Sequence, residues 1–225
     1  MRPLIVLGTR PEAVKLAPII LECQKRDEVS PRVCSSGQHR EMLAQVLGYF
    51  GIEPEIDLGL MRPGQTPSQL TSGCITAVDH VIAAESPDCV MVQGDTTTVM
   101  AAAMTAFYHR LPVVHVEAGL RTGDLTAPWP EEFNRLVAGI VTRLQCAPTQ
   151  RAADALLREG VAADWIRVTG NTVIDALLHT VEKERSDDTR CKKKYPAETA
   201  DSVVLITGHR RENLGQGLAD ISDAI

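Results

Sequence analysis

Short apolar runs alternate with longer segments of helical periodicity along the chain, and this alternation constrains the fold most. Strands are predicted at 3–8, 29–35, 88–93, 112–117, 143–147, 166–169 and 202–207. Helices are predicted at 11–26, 38–50, 66–85, 96–109, 131–142, 149–159 and 172–185, and a last one begins near 212. Runs such as CVMVQ, VVHVE and SVVLI are almost wholly apolar, which is typical of strands buried on both faces of a parallel sheet. The pattern predicts a doubly wound α/β fold with right-handed crossovers.

Composition excludes several classes of protein. The chain of 225 residues has a net charge of −6 and 4% aromatic residues. These values argue against a nucleic-acid surface of basic patches and stacking rings. Its apolar stretches are shorter than the roughly 20 residues of a membrane-spanning helix, and the N-terminus does not resemble a signal peptide. The six cysteines occur singly, without a C-x-x-C pair, so we expect reduced thiols and a cytoplasmic protein.

The C-terminal part of the sequence changes character. The segment 184–202 is polar, charged and interrupted by Pro196, and its KKK run is interpreted as solvated surface. The following residues begin a new strand and helix, and the chain stops in mid-helix without a cap. We therefore expect the natural protein to continue past Ile225.

Polar residues follow four of the predicted strands directly. They are Gly8-Thr9-Arg10, the stretch GDTTT at 94–98, EAGLR at 117–121 and GHRREN at 208–213. In open α/β sheets, ligands bind outside the carboxyl ends of the strands, where the strand order reverses. The coincidence of four such loops, each with ionisable residues, predicts a functional site at that edge.

The first of these loops has two interpretations. Pro11 and Glu12 suit the start of a helix, and Arg10 could simply be solvated. Equally, free N–H groups together with Arg10 and Lys15 would bind a phosphate. The residues alone leave this choice open.

The acidic residues differ in how readily packing explains them. Asp95 could be only a helix N-cap, and Glu131 and Arg135 could be only a surface pair four residues apart. Glu117 ends an apolar strand before a glycine, where an unpaired carboxylate would be costly. His209, in its strand-end loop, is also favoured as functional rather than structural.

Familiar catalytic motifs are missing from the sequence. It contains no G-x-G-x-x-G after a strand, no P-loop, no H-E-x-x-H, no paired Cys/His spacing and no G-x-S-x-G. Several carboxylates, one histidine and several Arg and Lys residues remain. That set suits acid–base chemistry on a phosphorylated substrate, with no metal.

Five motifs taken together carry a resemblance to a known family. GTRPEAVKLAP, SGQHREML, the stretch from QGDTTTVM to PWPEEFNR, VTGNTVIDAL and TGHRRENLG resemble the non-hydrolysing UDP-N-acetylglucosamine 2-epimerases of bacteria. The resemblance implies two Rossmann-like domains of the GT-B glycosyltransferase type, with the active site between them. Residues 1–169 would form the first domain, and 170–225 would begin the second. The family's later motifs for uridine and ribose are missing here, so we expect this chain alone to be inactive.

The resemblance also implies an activity. Family members interconvert UDP-GlcNAc and UDP-ManNAc without a cofactor, by eliminating UDP to form 2-acetamidoglucal and adding it back. The product would supply ManNAc for cell-surface polysaccharides. The implied partners are these nucleotide sugars and a second copy of the chain in a homodimer, with neither nucleic acid nor membrane.

Site residues follow from the resemblance, position by position. Cations on the leaving pyrophosphate are Arg10, Lys15 and His209, and acid–base groups around C2 are Asp95, Glu117 and Glu131. Arg135 would orient the set by pairing with one carboxylate. His209 is counted with the catalytic groups, and Arg210 with the substrate-binding ones.

Some family members bind a second UDP-GlcNAc beside the substrate as an activator. Gln38, His39 and Arg210 match part of that site. Glu41 stands where some regulated members have Gln, and Gly64 stands where they have Arg. Regulation is therefore left open by the sequence, with Gln38, His39 and Glu41 as candidate allosteric positions.

Three alternatives remain. A glycosyltransferase of the same fold would use the sugar nucleotide as a donor, but we see no amphipathic basic helix for a membrane-facing acceptor. A hydrolysing epimerase would release free ManNAc and UDP. The chain could also be a non-catalytic module that binds sugar nucleotides.

Overall fold

A seven-stranded, wholly parallel sheet forms the centre of the computed structural model, which describes residues 1–37, 40–186 and 216–223. The strands are β1 (Pro3–Leu7), β2 (Arg32–Ser35), β3 (Ile56–Asp57), β4 (Cys89–Gln93), β5 (Val113–Val116), β6 (Leu144–Ala147) and β7 (Ile166–Val168). Their order is β3-β2-β1-β4-β5-β6-β7. The chain therefore reverses its direction of growth between β1 and β4, which is where open α/β sheets form their ligand crevice.

The helices of the described residues are α1 (Arg10–Gln24), α2 (Arg40–Phe50), α3 (Pro67–Glu85), α4 (Thr97–Tyr108), α5 (Glu131–Val141), α6 (Gln150–Arg158), α7 (Val173–Ser186) and α8 (Gln216–Asp223), with a short 3-10 helix at Ala163–Trp165. Those that connect the strands cover both faces of the sheet. The α/β fold predicted from the alternation is confirmed, and most predicted bounds agree to within a few residues. The prediction missed β3, because two residues are too short to give a strand pattern. The predicted strand 202–207 lies outside the described residues.

Strand β1 shows why the sheet needs helices on both sides. All five of its residues are buried. Leu4 and Val6 pack with α3, α4 and α5 on one face, whereas Ile5 and Leu7 pack with α1, α2 and Ala176 of α7 on the other. The near-continuous apolar run in the sequence therefore reflects burial on both faces.

The chain divides into two compact units, Met1–Thr180 and Val181–Ile225. In the first unit, the beginning of α7 packs well: Ala176 is buried, and the His179 ring stacks on Phe50 with centroids 5.4 Å apart. In the second, the structure describes 181–186 and 216–223, and both are helical. A domain boundary at 169/170 stays a prediction. None of the described helices is long and apolar enough to cross a membrane.

A glycine after β5 permits a close backbone approach. Gly119 has φ +85°, and a Cβ built on it would lie 2.3 Å from the carbonyl oxygen of Ala152 in α6. That separation is far below any real contact. The carbonyl group of Ala152 is part of the helix backbone, so it cannot move aside as a flexible side chain could. Only glycine can therefore stand where the loop after β5 crosses α6.

Substitution of Gly119 by alanine should destabilise the fold strongly. Gly119→Ala combines the cost of a left-handed backbone with a steric clash, so we expect a loss of about 3 kcal/mol or more in the free energy of unfolding. Gly160→Ala is the matched control, because Gly160 has φ +86° but nothing within 4 Å of its Cβ position, and it should cost about 1 kcal/mol. Urea unfolding of both variants gives the comparison. Equal losses would contradict the close approach.

Candidate active site

Three of the four predicted loops meet at the carboxyl ends of β1, β4 and β5. They enclose a cavity of about 140 Å³ at the point where the strand order reverses. Its lining consists of Thr9, Pro11, Glu12, Lys15, Gln93, Gly94, Asp95, Thr96, Glu117, Leu120 and Arg135. The fourth loop, 208–213, lies outside the described residues. The sequence therefore predicted the location of a polar cavity correctly for the described loops.

Glu117 lies at one end of this cavity and is held by two neighbours. Its Oε2 accepts hydrogen bonds from Lys15 Nζ and Gln93 Nε2, so Lys15 forms an ion pair with it. The Glu117 backbone has φ +64°, a left-handed conformation that is rare outside glycine and costs free energy. No sequence pattern indicated this conformation, which directs a carboxylate from the end of β5 towards α1.

Asp95 pairs with Arg135 and does not cap α4. Arg135 Nη1 donates to Asp95 Oδ2 at 2.5 Å, and Asn134 Nδ2 donates to the Asp95 carbonyl oxygen at 2.9 Å. The N-cap of α4 is Thr96, whose Oγ1 accepts from the Val99 N–H at 3.2 Å. The N-cap interpretation of Asp95 is therefore wrong, and the predicted pairing of Arg135 with a carboxylate of the set is confirmed.

Arg135 also contacts a second carboxylate that gave no functional signal in the sequence. Its Nε and Nη2 donate to Glu132 Oε2 at 3.1 and 2.5 Å, while Glu132 Oε1 accepts from the N–H groups of Thr122 and Gly123, both at 3.0 Å. Arg135 is only 7% exposed. The interpretation of Glu131 and Arg135 as a surface pair is therefore wrong.

The environments of Asp95 and Glu132 move their pKa values in opposite directions. Burial raises the pKa of Asp95, and the nearby charges of Glu131 and Glu117 add to this, although Arg135 opposes it. For Glu132, burial alone would raise the pKa, but hydrogen bonds from Arg135, Gly123 and Thr122 outweigh it and lower the value. Asp95 therefore takes up a proton more readily than an ordinary aspartate, whereas Glu132 does so less readily than an ordinary glutamate.

A third buried carboxyl ties two loops together. Glu12, 2% exposed, accepts from the N–H groups of Gly8 and Thr9 through Oε2 and from Thr96 Oγ1 through Oε1. Burial raises the pKa of this group, although its hydrogen bonds oppose the rise. The T-x-x-E spacing of a capping box was the signal available in the sequence. Glu12 fixes the loop after β1 against the loop after β4.

His115 forms a hydrogen bond to the loop after β4. It is 1% exposed in the middle of β5, and its Nε2 lies 2.7 Å from the Gly94 carbonyl oxygen. Since a carbonyl can only accept, Nε2 carries the hydrogen. Nδ1 has no partner among the described residues. Burial lowers the pKa of His115 to about 4, so the ring stays neutral at ordinary pH.

The remaining predicted site residues either are not part of the cavity lining or lie outside the described residues. Arg10 is the exposed first residue of α1, and Glu131 is the half-buried first residue of α5. Glu41 lies in α2. Gln38, His39, His209 and Arg210 lie outside the described residues. Among the residues that the structure describes, no cluster of three or more His, Cys, Asp or Glu side chains could hold a metal ion.

The strand order and the cavity define a Rossmann-like α/β domain with acidic and basic side chains at its switch point. Comparison with known proteins identifies the family within this class. The family model described as UDP-N-acetylglucosamine 2-epimerase matches residues 21–225. The chain therefore belongs to the UDP-N-acetylglucosamine 2-epimerase family.

Individual relatives are similar along the whole chain. The UDP-N-acetylglucosamine 2-epimerase of Neisseria meningitidis is 46% identical over an alignment of 230 positions, which covers all of this chain and 61% of the relative. That of Salmonella typhimurium is 46% identical over 229 residues, again 61% of its length. A crystal structure of the Neisseria enzyme bound to UDP-GlcNAc superposes with a TM-score of 0.92 at 44% identity, and covers all of this chain and 62% of that chain. The chain thus spans about three fifths of these relatives.

Acid should destabilise this protein through His115. The unfolded histidine takes up a proton near pH 6.5, but the buried one does so only near pH 4. The stability that neutral His115 contributes is therefore complete above pH 6.5 and is lost as the pH falls towards 4, by about 3 kcal/mol in total. Urea unfolding at pH 7.5, 6 and 5 measures this loss.

Variants separate His115 from the other titrating groups. His115→Gln should lower the stability at pH 7.5 but weaken its dependence on pH between 6.5 and 4. His80→Gln, at an exposed position, should leave that dependence unchanged. An identical pH slope in His115→Gln and the parent protein would show that His115 does not become charged on unfolding.

Proposed function

We propose that this chain is part of an enzyme that interconverts UDP-GlcNAc and UDP-ManNAc by epimerisation at C2 of the sugar. The observation that supports it most directly is the pair of differently held carboxyl groups, Asp95 and Glu117, which line one cavity in a member of this family. The Neisseria relative was crystallised with UDP-GlcNAc, and a Methanocaldococcus jannaschii relative with UDP-GlcNAc and UDP. We assign the same ligands here.

The chemistry proceeds by elimination and re-addition. No carbonyl adjoins C2, so its proton is not acidic enough for direct removal. The C1–O bond to UDP breaks while C2 loses its proton, which gives 2-acetamidoglucal. UDP then adds back at C1, and a proton is delivered to the opposite face of C2. Such a route needs cations beside the leaving pyrophosphate and acid–base groups beside C2.

The charged residues divide between these two tasks. Arg10 is the first residue of α1, where the helix end also favours anions, and Lys15 lies in the next turn. With His209 they would receive the pyrophosphate. Asp95, Glu117 and Glu131 would exchange protons around C2. Asp95 is the natural proton donor, because its burial raises its pKa.

Further assignments extend the same proposal. Arg135 holds Asp95 in place, and Arg210 would contact the substrate. Gln38, His39 and Glu41 would line a second UDP-GlcNAc site. The enzyme would act in the cytoplasm, where unpaired thiols stay reduced, and the five cysteines in the part of the chain that the structure describes, at 23, 34, 74, 89 and 146, are free. Its product would supply ManNAc for cell-surface polysaccharides.

Turnover in deuterated water tests the mechanism on the protein at its natural length. The proton that returns to C2 comes from a group in exchange with solvent, so the product formed early should carry deuterium at C2. Proton NMR measures this, and it also distinguishes UDP-ManNAc from the free ManNAc of a hydrolysing enzyme and from a transferred sugar. Retention of the original C2 proton would contradict this route.

Two kinds of variant should separate catalysis from binding, when turnover and UDP affinity are both measured. Amide substitutions of Asp95, Glu117 or Glu131 should reduce turnover by about 10²-fold or more and leave UDP affinity nearly intact. Arg10→Ala should instead weaken UDP binding by about 1.5–3 kcal/mol, as calorimetry would measure. Unchanged UDP affinity in Arg10→Ala would remove Arg10 from the pyrophosphate site.

We also propose that two copies of the protein associate through the outer face of α3, α4 and α5. A groove of about 850 Å³ there includes Leu125, Trp129 and Phe133, which are 54%, 65% and 49% exposed. Apolar patches of this kind mark interaction surfaces.

Sedimentation velocity at micromolar concentration measures the association state. We expect a dimer mass for the parent protein, and a monomer mass for Phe133→Glu because a charge would be buried at the contact. Leu157→Glu, at a 46% exposed position on α6, is the control and should remain dimeric. A parent protein of monomer mass would contradict the proposal.

A further inference from the structure

Glu132 is the most buried carboxylate around the cavity, with 1% of its surface exposed. It lies in the first turn of α5, where an acidic side chain commonly neutralises the helix N-terminus. However, its hydrogen bonds come from a side chain and from another loop, not from the N–H groups at the start of α5. Oε2 accepts from Arg135, and Oε1 accepts from the backbone of Thr122 and Gly123. Helix capping therefore does not explain its position.

We propose that Glu132 is a positioning residue that shares the Arg135 guanidinium with Asp95, and that this sharing sets how strongly Arg135 holds Asp95. The catalytic consequence rests on the proposed epimerase function, whereas the sharing itself does not. Glu132 is not itself among the residues that line the cavity. Its effect on the reaction passes through Arg135.

The division of hydrogen bonds on Arg135 carries this inference. Two of its nitrogens, Nε and Nη2, donate to Glu132, and Nη1 is left for Asp95. The Arg121–Glu159 pair shows the undivided arrangement, because Nε and Nη2 of Arg121 each reach one oxygen of the same carboxylate. Arg135 therefore has one positive charge between two carboxyl groups, and most of its direct contact is with Glu132.

The other charges around Asp95 do not compensate for the share of the Arg135 charge that Glu132 takes. Glu131 at the start of α5 and Glu117 at the end of β5 both repel a negative charge on Asp95. Lys15 of α1 is occupied by Glu117. Glu12, also of α1, reaches this loop only through Thr96. Arg135 is thus the cation in direct contact with Asp95, and Glu132 controls how much of its charge Asp95 experiences.

Glu132 also connects Asp95 to the loop after β5. The N–H groups of Thr122 and Gly123 donate to the same carboxylate that holds Arg135. That loop begins at Glu117 and includes Leu120, another residue of the cavity lining. One buried side chain therefore fixes α5, Arg135 and this loop together, which holds two acid–base groups in register.

Carbon-13 NMR titration of the labelled carboxyl groups tests the sharing directly. In the parent protein, Asp95 should take up its proton at a higher pH than Glu132. In Glu132→Gln, the full charge of Arg135 becomes available, so the midpoint of Asp95 should fall by about one pH unit or more. Glu159→Gln, which breaks the Arg121 pair, is the control and should leave Asp95 unchanged.

The outcomes separate this inference from the proposed function. If Glu132→Gln does not fold, the titration order in the parent protein still decides, and protonation of Glu132 before Asp95 would overturn the inference. An unchanged Asp95 midpoint in a folded Glu132→Gln would also overturn it. In an active enzyme, the pH profile of kcat should move with Asp95 while UDP affinity is retained. A shifted Asp95 midpoint in a protein that lacks epimerase activity even at its natural length would refute the function and support the sharing.

Discussion

Burial of β1 on both faces is the constraint on which the rest of the structure depends. A strand whose five residues are all buried needs helices above and below it, and parallel neighbours on each side. β2 and β4 supply the neighbours, so the chain must reverse its direction of growth there. That reversal opens the crevice. A packing requirement thus brings the ends of β1, β4 and β5 to one edge and leaves their loops free for chemistry.

Charge pairing determines how the carboxyl groups at that edge differ. Glu117 is held by a lysine and an amide, Asp95 by a shared arginine, and Glu12 by backbone N–H groups and a hydroxyl. A buried carboxyl responds to each environment differently, because desolvation and hydrogen bonding act in opposite directions on its pKa. The pKa values of Asp95 and Glu12 are therefore raised, whereas that of Glu132 is lowered.

Local patterns in the sequence predicted what depends on local physics. The alternation of apolar runs predicted the fold class, and the strand-end positions of Asp95 and Glu117 predicted where a polar cavity lies. The partner of a buried charge is a long-range property, so Glu132 next to Glu131 could not be recognised as the buried ligand of Arg135. Likewise, Asp95 and Thr96 are both suitable helix caps by type, and the contact of Asp95 with Arg135 is a tertiary one that no local pattern shows. His115 was hidden for a similar reason, since its hydrogen bond to Gly94 crosses from β5 to the loop after β4.

The left-handed backbone at Glu117 limits how this site can change over evolutionary time. Among the described residues, Ser86 and Arg110 also have positive φ, but both are exposed and follow the ends of helices, where that conformation is common. Glu117 instead follows a buried strand directly, and the backbone conformation taken by itself favours glycine there by about 1–2 kcal/mol. A drift to glycine would relieve the backbone and remove the carboxylate in one step. A glutamate at this position therefore carries a backbone cost, and its ion pair with Lys15 and the hydrogen bond from Gln93 act against that cost.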